Sequence, residues 1–262
     1  MWSYQHLDFT VHQLAALKDN YIYLIEANKS NVLIAVDPAQ AEPVNSACEQ
    51  LQKGLTHIFN THHHWDHTDG NLELKKQYGC QIVGPAGEAE RIPGIDVAVS
   101  KTSPPMVDGL EVQIIDTPGH TSGHIAYVLW DALFCGDTLF GAGCGRIFEG
   151  TAQQMWESLN ETSRLAKQTR VYCAHEYTLA NLRFARQVDT GNQALADRSR
   201  ADKKARIQKK PTIPSSIGLE RETNPFLRPL NAEFCRLYAS KENIDSNPAS
   251  VFAHLRGRKD QL

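Results

Sequence analysis

The stretch THHHWDH, residues 61–67, constrains this chain more than any other. The segment that runs into it, LTHIFNT (55–61), is apolar and β-rich, so the histidines begin where a strand ends. Along extended backbone successive side chains point to opposite sides, so His62 and His64 share a face while His63 and Trp65 turn away. Asp66 and His67 follow where strand gives way to helix, and a bend there aims them at a second point beside the first. That spacing reads as two cations side by side. An ion bound by imidazole needs further donors, and the chain carries them directly after other apolar strands: His120 in TPGHTSGH, Asp137 in LFCGDTLF and His175 in YCAHEY. The fold must therefore gather several loops along one sheet edge, as a site requires. No cysteine falls in the cluster, which argues against a closed structural zinc tetrahedron. Imidazole with carboxylate suits Zn, Fe or Mn.

Around this cluster the pattern is mixed α/β. YIYLIEA (21–27) and NVLIAVDP (31–38) flank NKS and read as a hairpin; residues 41–53 and 71–79 read as helices, and QIVGP (81–85) as a strand closed by Gly-Pro. Further strands are expected in LEVQIIDTPG (110–119), HIAYVL, ALFCGD and VYCAH (171–175), and Thr151 with Gln154 makes a capping box that opens a helix. Beyond about residue 176 the pattern turns helical, with one helix expected to run from NQALADRS through KKARIQKK to Pro211, and a last one capped by Ser246 or Asn247 with Pro248 in its first turn. This predicts an α/β domain over 1–175 and a helical domain over 176–262. Charge divides similarly: residues 1–172 carry net −9 and residues 173–262 net +6. The run 203–210 lacks the interleaved aromatics of a nucleic-acid patch and reads as a solvated helix face. Six scattered cysteines without a C-x-x-C pair are expected to be reduced and mostly buried. No apolar run approaches the ~18 residues that span a bilayer, and the N-terminus shows no secretory pattern, so a cytoplasmic protein is expected.

These motifs resemble the metallo-β-lactamase superfamily and, within it, the glyoxalase II family of hydroxyacylglutathione hydrolases. The resemblance implies a four-layer αββα sandwich with a C-terminal helical domain. It implies that His62, His64 and His120 hold one metal, that Asp66, His67 and His175 hold the second, and that Asp137 bridges both. GCGRIFEGTAQQM (143–155) resembles the family loop that meets the glycine end of glutathione, with Arg146 where Lys is common and Phe148 where Tyr is common. These departures keep a cation and lose a hydroxyl. Tyr177 in HEYT, NPFLR (224–228), and Arg256 and Lys259 in RGRKD resemble the family's glutathione-site and helical-domain motifs.

The implied activity is hydrolysis of a glutathione thioester, S-D-lactoylglutathione, with two divalent ions, most readily Zn. Two cations lower the pKa of a shared water from about 15.7 toward about 7, which supplies hydroxide at neutral pH. Asp66 helps orient it. A thiol of pKa about 8.5 departs as thiolate without a separate acid. Arg146, Arg256 and Lys259 suit the glutathione carboxylates as charged donors, and Tyr177 as a neutral one. The partner is thus a small molecule, with no nucleic acid or membrane, and the chain is expected to be a monomer. Alternatives are a persulfide dioxygenase or another hydrolase of the same fold, and, outside enzymes, a metal- or nucleic-acid-binding module. Among the neighbours, His124 is expected to be a buried packing residue, and His63 to hydrogen-bond nearby backbone.

Overall fold

A computed structural model describes residues 1–262. The chain divides into two compact units, one of Met1–Asp116 with Ser122–Gly136, the other of Thr117–Thr121 with Asp137–Leu262.

In the first unit, β1 (Trp2–Gln5), β2 (Phe9–Ala16), β3 (Asn20–Ala27), β4 (Leu33–Val36), β5 (His57–Phe59), β6 (Gln81–Pro85) and β7 (Val97–Val99) form one sheet in sequence order. Tight turns suffice for the antiparallel pairs β1–β2, β2–β3 and β3–β4, and the expected hairpin has Glu26 opposite Leu33. From β4 onward neighbours run parallel, and helices α1 (Ala41–Leu51), α2 (Trp65–Thr68) and α3 (Asn71–Tyr78) fill the crossovers. The sequence reading left β1 and β2 unassigned, because their polar and apolar residues are mixed without clean alternation.

Val44, Ala47 and Cys48 of α1 and Leu74 of α3 pack with Leu24, Leu33, Ile58 and Ile82 on one face of this sheet. Burying each such large side chain contributes roughly 1.5–3 kcal/mol. On the other face lie three antiparallel strands, β8 (Gln113–Asp116), β9 (Ile125–Leu129) and β10 (Ala132–Gly136). There Tyr127 stacks on Phe59 at 4.7 Å and Phe134 meets Tyr23 edge-on at 5.8 Å. The parallel register pairs Val36, Phe59 and Val83, so Asp37 and Asn60 emerge together at the carboxyl ends of β4 and β5, with β6 continuing beside them to Pro85. In open α/β sheets that end is where ligands bind.

The second unit begins with the hairpin β11 (Leu139–Phe140) and β12 (Gly143–Cys144), followed by α4 (Ala152–Ser163) with the expected Thr151–Gln154 capping box. β13 (Arg170–Cys173) pairs with β14 (Ser215–Ser216). The helices are α5 (Thr178–Val188), α6 (Gln193–Ile207), α7 (Ile217–Thr223), α8 (Ala232–Glu242) and α9 (Pro248–Asp260). Trp156, Phe184, Phe226 and Phe252 form an aromatic core with ring centroids about 6 Å apart. Asn192, Ser216, Asn231 and Asn247 cap their helices by side-chain acceptance. Helix α6 stops at Ile207, short of the expected Pro211, because Lys209 takes a left-handed conformation. Lys203, Lys204, Lys209 and Lys210 are exposed, and all six cysteines are free and buried.

Candidate metal centre

The first unit positions the histidine run at the end of β5. His62 is fully buried and its Nε2 lies 3.1 Å from His64 Nδ1. Trp65, by contrast, is 66% exposed; it opens helix α2, so its outward aim comes from the helix and not from strand alternation. His64 is the residue before α2, and that turn of helix carries Asp66 and the buried His67, whose Nε2 lies 3.7 Å from Asp66 Oδ2. Asp37, His62 and His67 each offer a donor atom within 4.8 Å of the others.

Asp37 is a residue that sequence reasoning missed. It sits at the carboxyl end of β4 with φ 49°, accepts Thr61 N at 2.8 Å and Thr61 Oγ1 at 2.7 Å, and lies 3.1 Å from His67 Nδ1. A carboxylate on Nδ1 fixes the imidazole tautomer and leaves Nε2 as the lone-pair side, a common arrangement behind metal-binding histidines. The signal was available: Asp37 follows an apolar strand as Asp137 does. Asn20 also went unnoticed; its Nδ2 donates to Asp66 O at 3.0 Å and to Oδ2 at 3.3 Å.

His124 is 1% exposed and stacks on His62 with centroids 4.7 Å apart, as a packing residue should. The His63 ring is held by the Glu88 carboxylate at 2.7 Å, a partner that sequence reasoning did not name. Glycine is required at 136, where φ is 46° and a Cβ would collide with Thr61 Oγ1.

The second unit holds His120, Asp137 and His175. Asp137 Oδ2 lies 3.3 Å from His120 Nε2, and its Oδ1 lies 3.3 Å from His175 Nε2. One carboxylate thus turns its two oxygens to two imidazoles. The Arg146 carbonyl lies 2.8 Å from His120 Nδ1 and accepts its proton, again leaving Nε2 as the donor to a cation. Both histidines are buried, and Tyr177 stacks flat on His175 at 4.8 Å. All of these are imidazole and carboxylate groups, with the tautomers of His67 and His120 set from behind, so the donor set fits divalent metal ions.

Beside these groups a groove of about 380 Å³ is lined by His120, Asp137, Arg146, Phe148, Tyr177 and Lys259, among others. Phe148 is 62% exposed with its ring 5.1 Å from that of His120. Arg256 is buried. It donates to Cys144 O at 3.0 Å and to Asp260 Oδ1 at 2.9 Å, while its Nε has no hydrogen-bond partner. Lys259 lies over the Phe184 ring at 5.6 Å. Its pKa is lowered, first by burial and then by the neighbouring Arg256, Arg183 and Arg146. Such a crowd of cations favours an anionic ligand. No helix is long and apolar enough to cross a membrane.

Residues 17–175 match the metallo-beta-lactamase superfamily, and residues 176–262 match the C-terminus of hydroxyacylglutathione hydrolase. The chain is 47% identical over 254 residues to a hydroxyacylglutathione hydrolase of Rhodospirillum rubrum, covering 96% of this chain and 98% of that one. It is 47% identical over 251 residues to a hydroxyacylglutathione hydrolase of Methylococcus capsulatus, covering 95% and 96%. Among solved structures, ETHE1 from Myxococcus xanthus aligns with a TM-score of 0.65 at 26% identity, covering 95% of this chain and 97% of that one. The expected αββα fold with a C-terminal helical domain is thereby the fold of this chain.

Proposed function

The chain belongs to the metallo-beta-lactamase superfamily and, within it, to the hydroxyacylglutathione hydrolases, and we propose that it hydrolyses S-D-lactoylglutathione and related S-2-hydroxyacylglutathiones to glutathione and the free acid, the second step of methylglyoxal detoxification. It is a hydrolase that uses divalent metal ions. We assign His62, His64 and His120 to one ion, Asp66, His67 and His175 to a second, and Asp137 to both, with Zn as the resident metal. The observation that carries this assignment is Asp137, whose two oxygens each face a different imidazole at 3.3 Å.

When bound, two such ions supply Lewis acidity that makes water acidic at neutral pH. The chain's own groups do the rest. Asp37 and the Arg146 carbonyl hold protons on His67 Nδ1 and His120 Nδ1, so that each ring presents Nε2 on its other side. Asn20 restrains Asp66, the carboxylate we assign to orienting the attacking water. Arg146 and Lys259 line the groove and bind the glutathione carboxylates, with the orphaned Arg256 Nε as a further donor. Tyr177 is kept in place by its stack on His175 and donates its hydroxyl to the peptide. Phe148 supplies an apolar wall where a tyrosine would add a hydrogen bond. The thiolate leaves without a proton donor, because a thiol of pKa about 8.5 is a good leaving group.

We divide the chain into a catalytic domain, 1–175, and a helical glutathione-binding domain, 176–262; the two family matches, which meet at that boundary, support the division. Six free cysteines suit a reducing, cytoplasmic location. We take the chain to act as a monomer on a small-molecule thioester. The test is loss of thioester absorbance with S-D-lactoylglutathione on protein whose metal content has been counted. Turnover that tracks two ions per chain supports the proposal; a fully metallated protein that leaves the thioester intact refutes it.

A further inference from the structure

Three consecutive histidines pose a selection problem. On the reading above, which this inference presupposes, His62 and His64 bind metal, yet His63 carries the same imidazole one residue from each. An unrestrained third imidazole would compete for the ion. The structure occupies it fully. Glu88, 1% exposed in the 3-10 turn Ala86–Arg91, accepts His63 N at 2.8 Å and His63 Nδ1 at 2.7 Å through Oε2. Its Oε1 accepts Gly123 N at 3.0 Å. Arg91 Nη1 lies 3.3 Å from His63 Nε2. A guanidinium can only donate, so Nε2 spends its lone pair on Arg91, which places the ring proton on Nδ1, where Glu88 accepts it. Neither ring nitrogen is then available to a cation.

We propose that Glu88 and Arg91 form a positioning pair that withholds His63 from the metal and so fixes which histidines of the run face the ion. The same carboxylate ties the backbone of residue 63 to Gly123, three residues beyond His120 in the chain, so it also pins the donor loop to the segment that enters β9.

The experiment loads the full chain with Co²⁺ and reads metal count, visible absorption and affinity by chelator competition. Glu88→Gln is expected to shift the Co²⁺ band and weaken binding by about 10-fold, comparable to the low end of the cost of disturbing the groups that orient metal ligands. Arg91→Ala, at the half-exposed end of the pair, moves both readings less and in the same direction. His63→Ala alone leaves count and affinity within about threefold of wild type. The decisive variant is Glu88→Gln/His63→Ala, in which removing the competitor restores band and affinity toward wild type. No restoration in that double variant overturns the inference, as does an unchanged Co²⁺ spectrum in both Glu88→Gln and Arg91→Ala. If Glu88→Gln fails to fold, Arg91→Ala and Arg91→Ala/His63→Ala decide by the same criterion. A wild type that takes up no Co²⁺ would instead refute the metal assignment itself.

Discussion

The donor loop 61–67 and the cationic groove differ in both residue type and exposure. In the loop, His62 and His67 are buried, and their neighbours Asp37, Asn20 and Glu88 fix rings and backbone through hydrogen bonds of about 3 Å. In the groove, Arg146 is 64% exposed at its side chain and Phe148 62% exposed as a residue, and the pKa of Lys259 is lowered by burial first and by the like charges around it next. The loop is held by hydrogen bonds within itself and to its neighbours, whereas the groove gathers Arg146, Arg256 and Lys259 with Asp260 as the carboxylate that pairs with both arginines. The difference teaches where substitutions should act: on metal retention and kcat at the imidazoles and carboxylates, on KM at the groove's arginines and lysine.

The comparison can be broken first at Asp137. Asp137→Ala removes the carboxylate assigned to both ions and should abolish binuclear occupancy, lowering kcat by about 1,000-fold or more, since Lewis-acid stabilisation is worth several kcal/mol. Metal counting and turnover on one preparation check it. Asp37→Asn should follow, with metal affinity down about 10- to 100-fold and the substrate groove untouched; chelator competition measures this. Arg256→Ala and Lys259→Ala should each raise KM by about 10-fold with kcat nearly constant, because they bind substrate and transition state alike. A change in kcat larger than that in KM would place them in the chemistry and end the contrast.

The pH dependence sharpens the same point. Lys259 loses its proton below the ordinary lysine value of 10.5, so KM should climb as pH rises through that lowered pKa, and Lys259→Ala should flatten the climb. Stability moves the other way: between the lowered folded pKa and 10.5 the unfolded chain binds more protons, so denaturation of the ligand-free protein should become harder as pH rises across that window. The smallest expected effect is Phe148→Tyr, which restores one hydrogen bond and should lower KM by about threefold, equivalent to the usual net worth of such a bond.

The residues proposed as metal donors were legible because they lie in dense His/Asp motifs at or a few residues past the ends of apolar strands, and strand ends are easy to recognise from composition. The residues behind them were not. Asp37 shares the strand-end signal but belongs to no dense motif, and Glu88 lies in a short turn whose sequence, AGEAER, carries no pattern that points to His63. Partners of that kind are set by tertiary approach, 30 residues apart for Asp37 and His67 and 25 for Glu88 and His63. Helix caps at Thr151 and Asn247 read correctly because capping is local. Strands β1 and β2 were invisible for the opposite reason: partners across the sheet, more than their own pattern, make them strands.

Diffraction at the metal absorption edge from crystals of the metal-loaded chain tests the central claim most directly. The account predicts two anomalous peaks, one within about 2.0–2.2 Å of nitrogens of His62, His64 and His120 and the other at that distance from Asp66, His67 and His175, with one Asp137 oxygen on each. A single peak, or peaks that His63 reaches and Asp137 does not, would contradict it.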